Sequence, residues 1–505
     1  MSADAVEPKV AAPPPPAIPE FAQVMGHPRP LWMLFMSEFW ERFAFYGIRW
    51  AMVLYIVSQF HGGDATGQKP ASELYGAYLA LVYAGAIFGG YVADKLIGFQ
   101  RSILLGAVFM AVGLFLLATS TETMFKLGLA TIIVGNGLFK PIISTMVGKL
   151  YLQGDPRRDA GFTIFYMGIN IGAMIAPVIT GWLAREIFGT NDDPHYHWVF
   201  ISAGIGMIVS LVWFWIGRSQ LKGIGVPAPG QEGLGRIGLV ALLGAAIGIP
   251  LFYFLLTIDA NALQAILMAL FVVPAVMLVV EGFREGKVAR DKVVAMLVIF
   301  VFNVLFWMFF EQAGSSFTFL ADQIVNRQFG DWTFPLEWFQ SVNSIAIITL
   351  APIMAWLWVK LGKNNPSIPR KFGLGLIFNG LAFLLLMVAL SSMVNDAGKI
   401  PFWTLFMVYV IQSVGELCLS PIGLSMTTKL APVKLGGMAM GCWFLSIAIG
   451  NNLAGIFAGR VSGEGGMTVE SAHAGYTFGF YALVGSGVLL FIVAPLVNRL
   501  MHGVK

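Results

Sequence analysis

Apolar residues gather along this chain into fourteen runs, each long enough to supply the roughly 20 residues with which a helix crosses a hydrocarbon core. They cover approximately 29–58, 73–94, 102–120, 124–149, 160–186, 196–217, 236–256, 262–281, 293–316, 337–360, 371–394, 401–429, 437–460 and 474–499. The pattern predicts an all-α membrane protein with fourteen spans. Between the sixth and seventh runs, Gly217 to Gly235 is rich in Gly and Pro and reads as a linker. The two runs after it carry charge only at their ends, so they read as lipid-facing accessories. Removing them leaves six plus six, the organisation of two pseudo-symmetric bundles around a midplane site. The expected division is a disordered tail over 1–28, a first six-helix bundle over 29–217, a linker with two accessory helices over 218–290, a second bundle over 291–500 and a tail over 501–505.

Seven ionisable residues interrupt the apolar pattern: Glu38, Glu41, Arg42, Arg49, Lys140, Glu311 and Glu416. A charge at mid-bilayer costs about 2.5–3.5 kcal/mol on insertion scales, so such groups normally face a bundle interior or an aqueous cavity. At about 100° per residue, Glu38, Arg42, Phe45 and Arg49 fall within about 60° of one another, with Glu41 and Tyr46 flanking them. Glu38 and Arg42 are an i, i+4 pair, whereas Arg49 has no acidic neighbour one turn away and needs a partner elsewhere. Lys140 precedes Pro141, which bends the fourth span. The first bundle thus brings Arg42, Arg49 and Lys140 against Glu38 and Glu41, and the second brings only Glu311 and Glu416. A cavity between them is expected to be cationic on one wall and anionic on the other, which fits a zwitterion bound lengthwise. Buried carboxylates beside such a site point to proton coupling.

Composition narrows the classes further. The chain is 57% hydrophobic and 11% charged, against about 25% charged in soluble domains, which excludes a soluble enzyme. Its net charge of +4 is spread over many short loops, so nucleic acid is not an expected partner. Cys418 and Cys442 lie in apolar runs and read as small buried hydrophobes. All six histidines fall in loops or tails, and the one stretch with metal-binding character, His195-Tyr-His197, reads as a weak surface site. No metal, cofactor or catalytic residue is expected. Lys95, Arg101, Lys149, Arg157, Arg218, Arg284 and Lys360 collect on one face, while the opposite loops hold little more than Lys69, Lys126, Arg185, Arg327, Lys399 and Arg460. This bias orients both termini to the cytoplasm.

Glu38-Phe-Trp-Glu41-Arg42-Phe43-Ala-Phe45-Tyr46-Gly47 resembles the E-x-x-E-R-F-x-Y-Y-G signature of proton-dependent oligopeptide transporters, a branch of the major facilitator superfamily. Gly90-Tyr-Val-Ala-Asp94-Lys95-Leu-Ile-Gly98-Phe-Gln-Arg101, Phe165-Tyr-Met-Gly-Ile-Asn170-Ile-Gly172, and Gly415-Glu416 with Ser420-Pro421 agree with the same family. The two extra helices resemble its bacterial members. The resemblance implies a major facilitator fold and symport of di- and tripeptides with protons across a bacterial inner membrane by alternating access, the working unit a monomer and the proton gradient the energy source. It further implies that Arg49, Lys140 and Asn170 bind the peptide carboxylate, and Glu416 and Asn343 its amino end. Tyr46 and Tyr83 would line the backbone path, and Trp307 and Trp443 would shape side-chain pockets, although each aromatic considered alone reads as core packing. Glu38, Glu41, Arg42 and Glu311 would couple protons, Glu311 pairing with Arg49 in one conformation, and Asp94 and Arg101 would help close the inner gate. Phe45 stands where the signature has a Tyr, and Phe310 where some relatives have a second acid. The alternative cargo is another small anion such as nitrate, for which Glu416 has little purpose.

Overall fold

The computed structural model describes residues 18–152 and 154–504. Among these, fourteen helices are long and apolar enough to span a membrane: α1 Arg29–Phe60, α2 Ala65–Ile97, α3 Phe99–Leu117, α4 Glu122–Lys149, α5 Arg158–Ile187, α6 His197–Leu221, α7 Leu234–Thr257, α8 Ala260–Glu285, α9 Lys287–Phe310, α10 Trp338–Asn364, α11 Ile368–Ser392, α12 Phe402–Leu430, α13 Val433–Ser462 and α14 Val469–Leu500. One boundary differs in kind from the expected pattern. The ninth apolar run continues to 316, yet α9 ends at Phe310, and a turn from Glu311 leads into a short helix, Ser316–Gln323. Gly314 lets this turn tuck under α2, since a Cβ there would meet the Tyr75 hydroxyl at 2.2 Å. Glu311 is therefore a helix-terminal residue rather than a mid-helix one.

The packing has an internal symmetry that no sequence repeat announces. In the first bundle α1 packs on α5 and α6, α2 on α4, and α3 on α4 and α6. The same set recurs in the second, where α9 packs on α13 and α14, α10 on α12, and α11 on α12 and α14. Across the bundles α2 meets α13 and α5 meets α10, so the second helix of each touches the fifth of the other. One pseudo-twofold relation generates all of these pairings, as the six-plus-six arrangement requires. This is the major facilitator fold.

Small residues set the closest approaches, because apolar side chains alone gain little by leaving lipid for one another. A Cβ on Gly106 of α3 would lie 2.6 Å from the Gly135 carbonyl oxygen of α4, and one on Gly375 of α11 would lie 2.9 Å from that of Gly415 in α12. The accessory helices clip onto the outside, α7 against α4 and α8 against α9 and α13. Asn452 of α13 holds α8 by donating to the Ala260 carbonyl and to Gln264 Oε1, both at 2.9 Å. Only 11% and 17% of the most apolar stretches of α7 and α8 are buried, against 72% of that of α4, which leaves their outer surfaces for lipid.

The bundles close on one face only. Opposite the face that carries the chain ends, Gly76 of α2 and Gly455 of α13 interlock, with a Cβ on the former only 2.6 Å from the Cα of the latter. There Met467 N–H donates to Gln68 Oε1 at 2.8 Å, and Lys69 pairs with Glu464 at 2.5 Å. Toward the end-carrying face the contact thins, and Phe88 and Tyr91 of α2, Tyr166 and Met167 of α5 and Leu424 of α12 are exposed. Part of the segment expected to be disordered is ordered on that face. Gln23–Val24 pairs with His27–Pro28 as a hairpin whose two turn residues, Met25 and Gly26, have positive φ, as a tight hairpin turn demands. His27 Nδ1 lies 2.8 Å from the Tyr151 hydroxyl, and Arg157 donates to the Gly26 carbonyl at 3.2 Å, which fastens the hairpin to the loop between α4 and α5. Residues 1–17 of the expected tail lie outside the described residues.

Gly106→Val should force α3 and α4 apart, an overpacking that costs about 1–3 kcal/mol. A thermal-shift measurement in detergent should give it a lower apparent Tm than wild type, whereas Gly485→Val, whose Cβ meets nothing within 4 Å, should melt with wild type.

Candidate functional site

The polar stripe of α1 is the spine of the site. Arg42 lies between two acids: it donates from Nη2 to Glu41 Oε1 at 2.6 Å and from Nε to Glu41 Oε2, and its Nε stands 3.3 Å from Glu38 Oε1. All three side chains are at most 4% exposed. Asn136 of α4 adds a donor to Glu41 Oε1 at 3.3 Å. Two carboxylates around one guanidinium leave a net negative charge, and Glu38 Oε2 is buried with no hydrogen-bond partner among the described residues.

Two turns along the same helix, Arg49 finds the distant partner that its isolation required. Its Nη2 donates to Glu311 Oε2 at 2.6 Å and its Nε to the Tyr75 hydroxyl at 3.0 Å. The pair joins the two bundles, and its side chains are 13% and 12% exposed. The break after Phe310 is what places Glu311 here, since the turn carries it beyond the helix end toward α1 and α2. Arg49 and Glu311 share one cavity with Glu38, Arg42, Phe45, Tyr46, Tyr83 and Lys140. Arg49 stacks 5.7 Å from the Tyr46 ring centre, and the Lys140 ammonium lies 4.4 Å from that of Tyr83. Such cation–aromatic contacts satisfy a cation without neutralising it, and Arg49 is neutralised instead by Glu311.

Other expected residues sit beside this cavity. Asn343 of α10 donates to Glu416 Oε2 at 3.1 Å and to Ser413 Oγ at 2.9 Å, which presents Glu416 from the second bundle. Neither Glu416 nor Asn343 is among the residues that line the cavity around Arg49 and Lys140. Asn170 is buried and donates to the Tyr166 carbonyl at 3.0 Å, next to Ile169, which does line the cavity. The two tryptophans are packing residues in this conformation. Trp307 donates to Asn303 at 3.1 Å, and Trp443 is 3% exposed between Phe300 and Phe372, with its ring filling the space over Gly423. Arg101 does not face the second bundle either. It donates to the Glu232 carbonyl at 2.9 Å and anchors the linker, while Asp94 is exposed at the end of α2.

The cavity also holds residues that motif reading passed over: Leu79, Ser144 and Ile169 line it, and Tyr75 and Asn136 support its charges. Tyr75 had a signal, lying eight residues before Tyr83 and about 80° from it on the same helix. Around His195 and His197 no metal set forms: His197 packs against Tyr55, and among the described residues no three His, Cys, Asp or Glu side chains gather as ligands.

Paired charges inside a cavity between two pseudo-symmetric bundles, closed on one face and thinning on the other, define a secondary carrier of the major facilitator class. The chain belongs to the POT family, whose profile matches residues 100–465. It is similar to the uncharacterized transporter YclF of Bacillus subtilis strain 168, with 36% identity over 95% of this chain and 96% of the relative. It is also similar to the di-/tripeptide transporter of Lactococcus lactis subsp. cremoris, with 34% identity over 95% of this chain and 98% of that protein. A crystal structure of a peptide transporter POT in complex with sulfate superposes with a TM-score of 0.82 at 33% identity, covering 95% of this chain and 97% of that one.

Arg42→Ala should leave Glu38 and Glu41 buried without their cation, a loss of about 3–5 kcal/mol for a broken buried pair. Its apparent Tm should fall well below that of Glu464→Ala, which removes an ion pair whose acid is 88% exposed and which contributes about 0–1 kcal/mol.

Proposed function

We propose that this chain is a proton-coupled symporter that imports di- and tripeptides by alternating access, seated as a monomer in a bacterial inner membrane with both termini cytoplasmic. The observation that carries the reading is the 2.6 Å contact between Arg49 and Glu311, which joins the bundles inside a cavity that also holds Lys140. Peptide carboxylate and Glu311 compete for one guanidinium. Proton and peptide arriving together from outside resolve the competition, because a neutral Glu311 releases Arg49, and Arg49 with Lys140 and Asn170 then takes the carboxylate. The peptide amino group reaches Glu416, oriented by Asn343. Loss of the proton on the inner side lets Glu311 reclaim Arg49 and expel the peptide. The proton and the peptide can bias the two states only through their differential affinity for them, and this shared arginine supplies that difference.

Glu38, Glu41 and Arg42 form a second titratable cluster along the same helix, with the bare Glu38 oxygen as its proton acceptor. Tyr46 and Tyr83 flank the peptide backbone. With Trp307 and Trp443 packed inside the second bundle, the contacts to peptide side chains fall to Phe45, Leu79 and Ile169, which line the cavity. Phe45 offers a ring without a hydroxyl, which favours apolar side chains. Nitrate is the weaker reading, since relatives of this chain are named for peptides and a lone anion leaves the Glu416 and Asn343 pair without a partner.

In proteoliposomes, Glu311→Gln should abolish dipeptide uptake driven by a proton gradient yet retain peptide counterflow. Full driven uptake by this variant would contradict the coupling scheme. Arg49→Ala should weaken dipeptide binding by about 1.5–3 kcal/mol, roughly tenfold to a hundredfold, as loss of a charge-assisted hydrogen bond does. Excess nitrate should leave dipeptide uptake unchanged, whereas a second dipeptide should compete with it.

A further inference from the structure

Where the end of α8, the start of α9 and the turn from α12 into α13 meet, a cleft of about 530 Å³ opens on the face that carries the chain ends. It shares no lining residue with the cavity around Arg49. Gly286 alone joins α8 to α9, at a φ of 110° that suits glycine, and so folds the two helix ends into one wall with Glu285, Val288 and Lys292. The opposite wall brings Thr428, Lys429 and Val433. Each wall thus contributes a lysine. Over 281–292 and 428–436 six cations stand against three acids, and two of those acids are already engaged. Asp291 pairs with Arg290 and His502, both at 2.9 Å, and Glu281 lies 3.7 Å from Arg284 and 3.8 Å from Lys434. Lys292 has no hydrogen bond or ion pair among the described residues. The rim is apolar, since Val288 and Val433 are exposed, and the exposed stripe Val273, Val276, Val280 and Phe283 runs along α8 to the same end.

We propose that this cleft binds the headgroup of an anionic membrane phospholipid, with its phosphodiester between Lys292 and Lys429 and its glycerol and acyl chains against Val288, Val433 and the outer surface of α8. Depth and charge both select this occupant. The cleft lies where three membrane spans end, at the level of the lipid headgroups, and a basic pocket between span ends on a membrane surface is the setting in which anionic headgroups bind. Two lysines on facing walls repel each other, and one phosphate between them compensates both. A zwitterionic lipid brings its own cation to the same place and gains less. Free phosphate lacks the apolar part that the valine rim and the α8 stripe would cover. The protein's own link between the walls, Lys434 with Glu281, leaves the lysine 78% exposed and contributes little. A bound headgroup therefore fastens the α12–α13 turn to the accessory helix, and α8 acquires a role as one wall of a lipid site.

The test titrates the full chain in detergent with phosphatidylglycerol or with phosphatidylcholine of the same acyl chains, and native mass spectrometry reads the bound lipid. Wild type should bind phosphatidylglycerol more tightly than phosphatidylcholine. Lys292→Gln with Lys429→Gln should weaken phosphatidylglycerol roughly thirtyfold, about fivefold for each lysine beside an anionic headgroup, and leave phosphatidylcholine unchanged. Val433→Glu, at a rim position exposed enough to spare the fold, should weaken phosphatidylglycerol as well. Lys360→Gln with Lys363→Gln removes two exposed lysines from the same face at the end of α10 and should leave binding as in wild type. Inorganic phosphate at the same concentration as the lipid should not displace it. Equal binding of the two lipids by wild type, or unchanged phosphatidylglycerol binding in the Lys292 and Lys429 double variant, would overturn the site, and displacement by inorganic phosphate would overturn its assignment to a lipid. No transport is read, so the outcome is independent of the cargo.

Discussion

A charge held away from water must have a counter-charge or a ligand, and the positions of the charges in this protein follow from that demand. Arg42 is held by two acids of its own helix, Arg49 by an acid of the other bundle, and Arg185 by Glu337 across the opposite seam. The intra-helical cluster stays together whatever the bundles do. The two cross-bundle pairs do not, since any rocking motion changes their distances. Electrostatics thus sorts the charged residues into a fixed set and a moving set, and the moving set is where proton, peptide and conformation can exchange influence.

The scaffold makes such motion feasible. Within each bundle, glycines bring backbones into direct contact at Gly106 and Gly135 and at Gly375 and Gly415, which makes each bundle a stiff body. Between bundles the contacts are two narrow seams related by the pseudo-twofold, so opening one face requires only that these seams part. The accessory helices do not obstruct this, because they sit outside the six-plus-six core with most of their surface free for lipid.

Much of this was legible in the sequence, and the limits have physical reasons. The spans were readable because a bilayer demands long apolar runs, and the charged stripe of α1 because helical periodicity aligns Glu38, Arg42 and Arg49. The partnership of Arg49 with Glu311 crosses 262 positions, so periodicity could show only that Arg49 lacked a local acid; the partner came from family resemblance. The end of α9 at Phe310 was hidden because no proline marks it, and the reason for it, Tyr75 over Gly314, is tertiary. Arg185 and Glu337 were invisible for a different reason. Each stands at a span boundary, where a charge reads as a topology signal. Trp443 shows the reverse, since family resemblance makes it a pocket residue and packing puts it inside a bundle.

The central claim is that peptide carboxylate and Glu311 share Arg49, so that binding one displaces the other. Displaced from its cation inside the membrane, Glu311 should take up a proton. Calorimetric titration of a dipeptide into the purified protein, repeated in buffers of different ionisation enthalpy, measures that proton directly. The account predicts uptake of about one proton per peptide bound in the wild type near neutral pH and none through this site in Glu311→Gln. Dipeptide binding to the wild type with no proton taken up would contradict it.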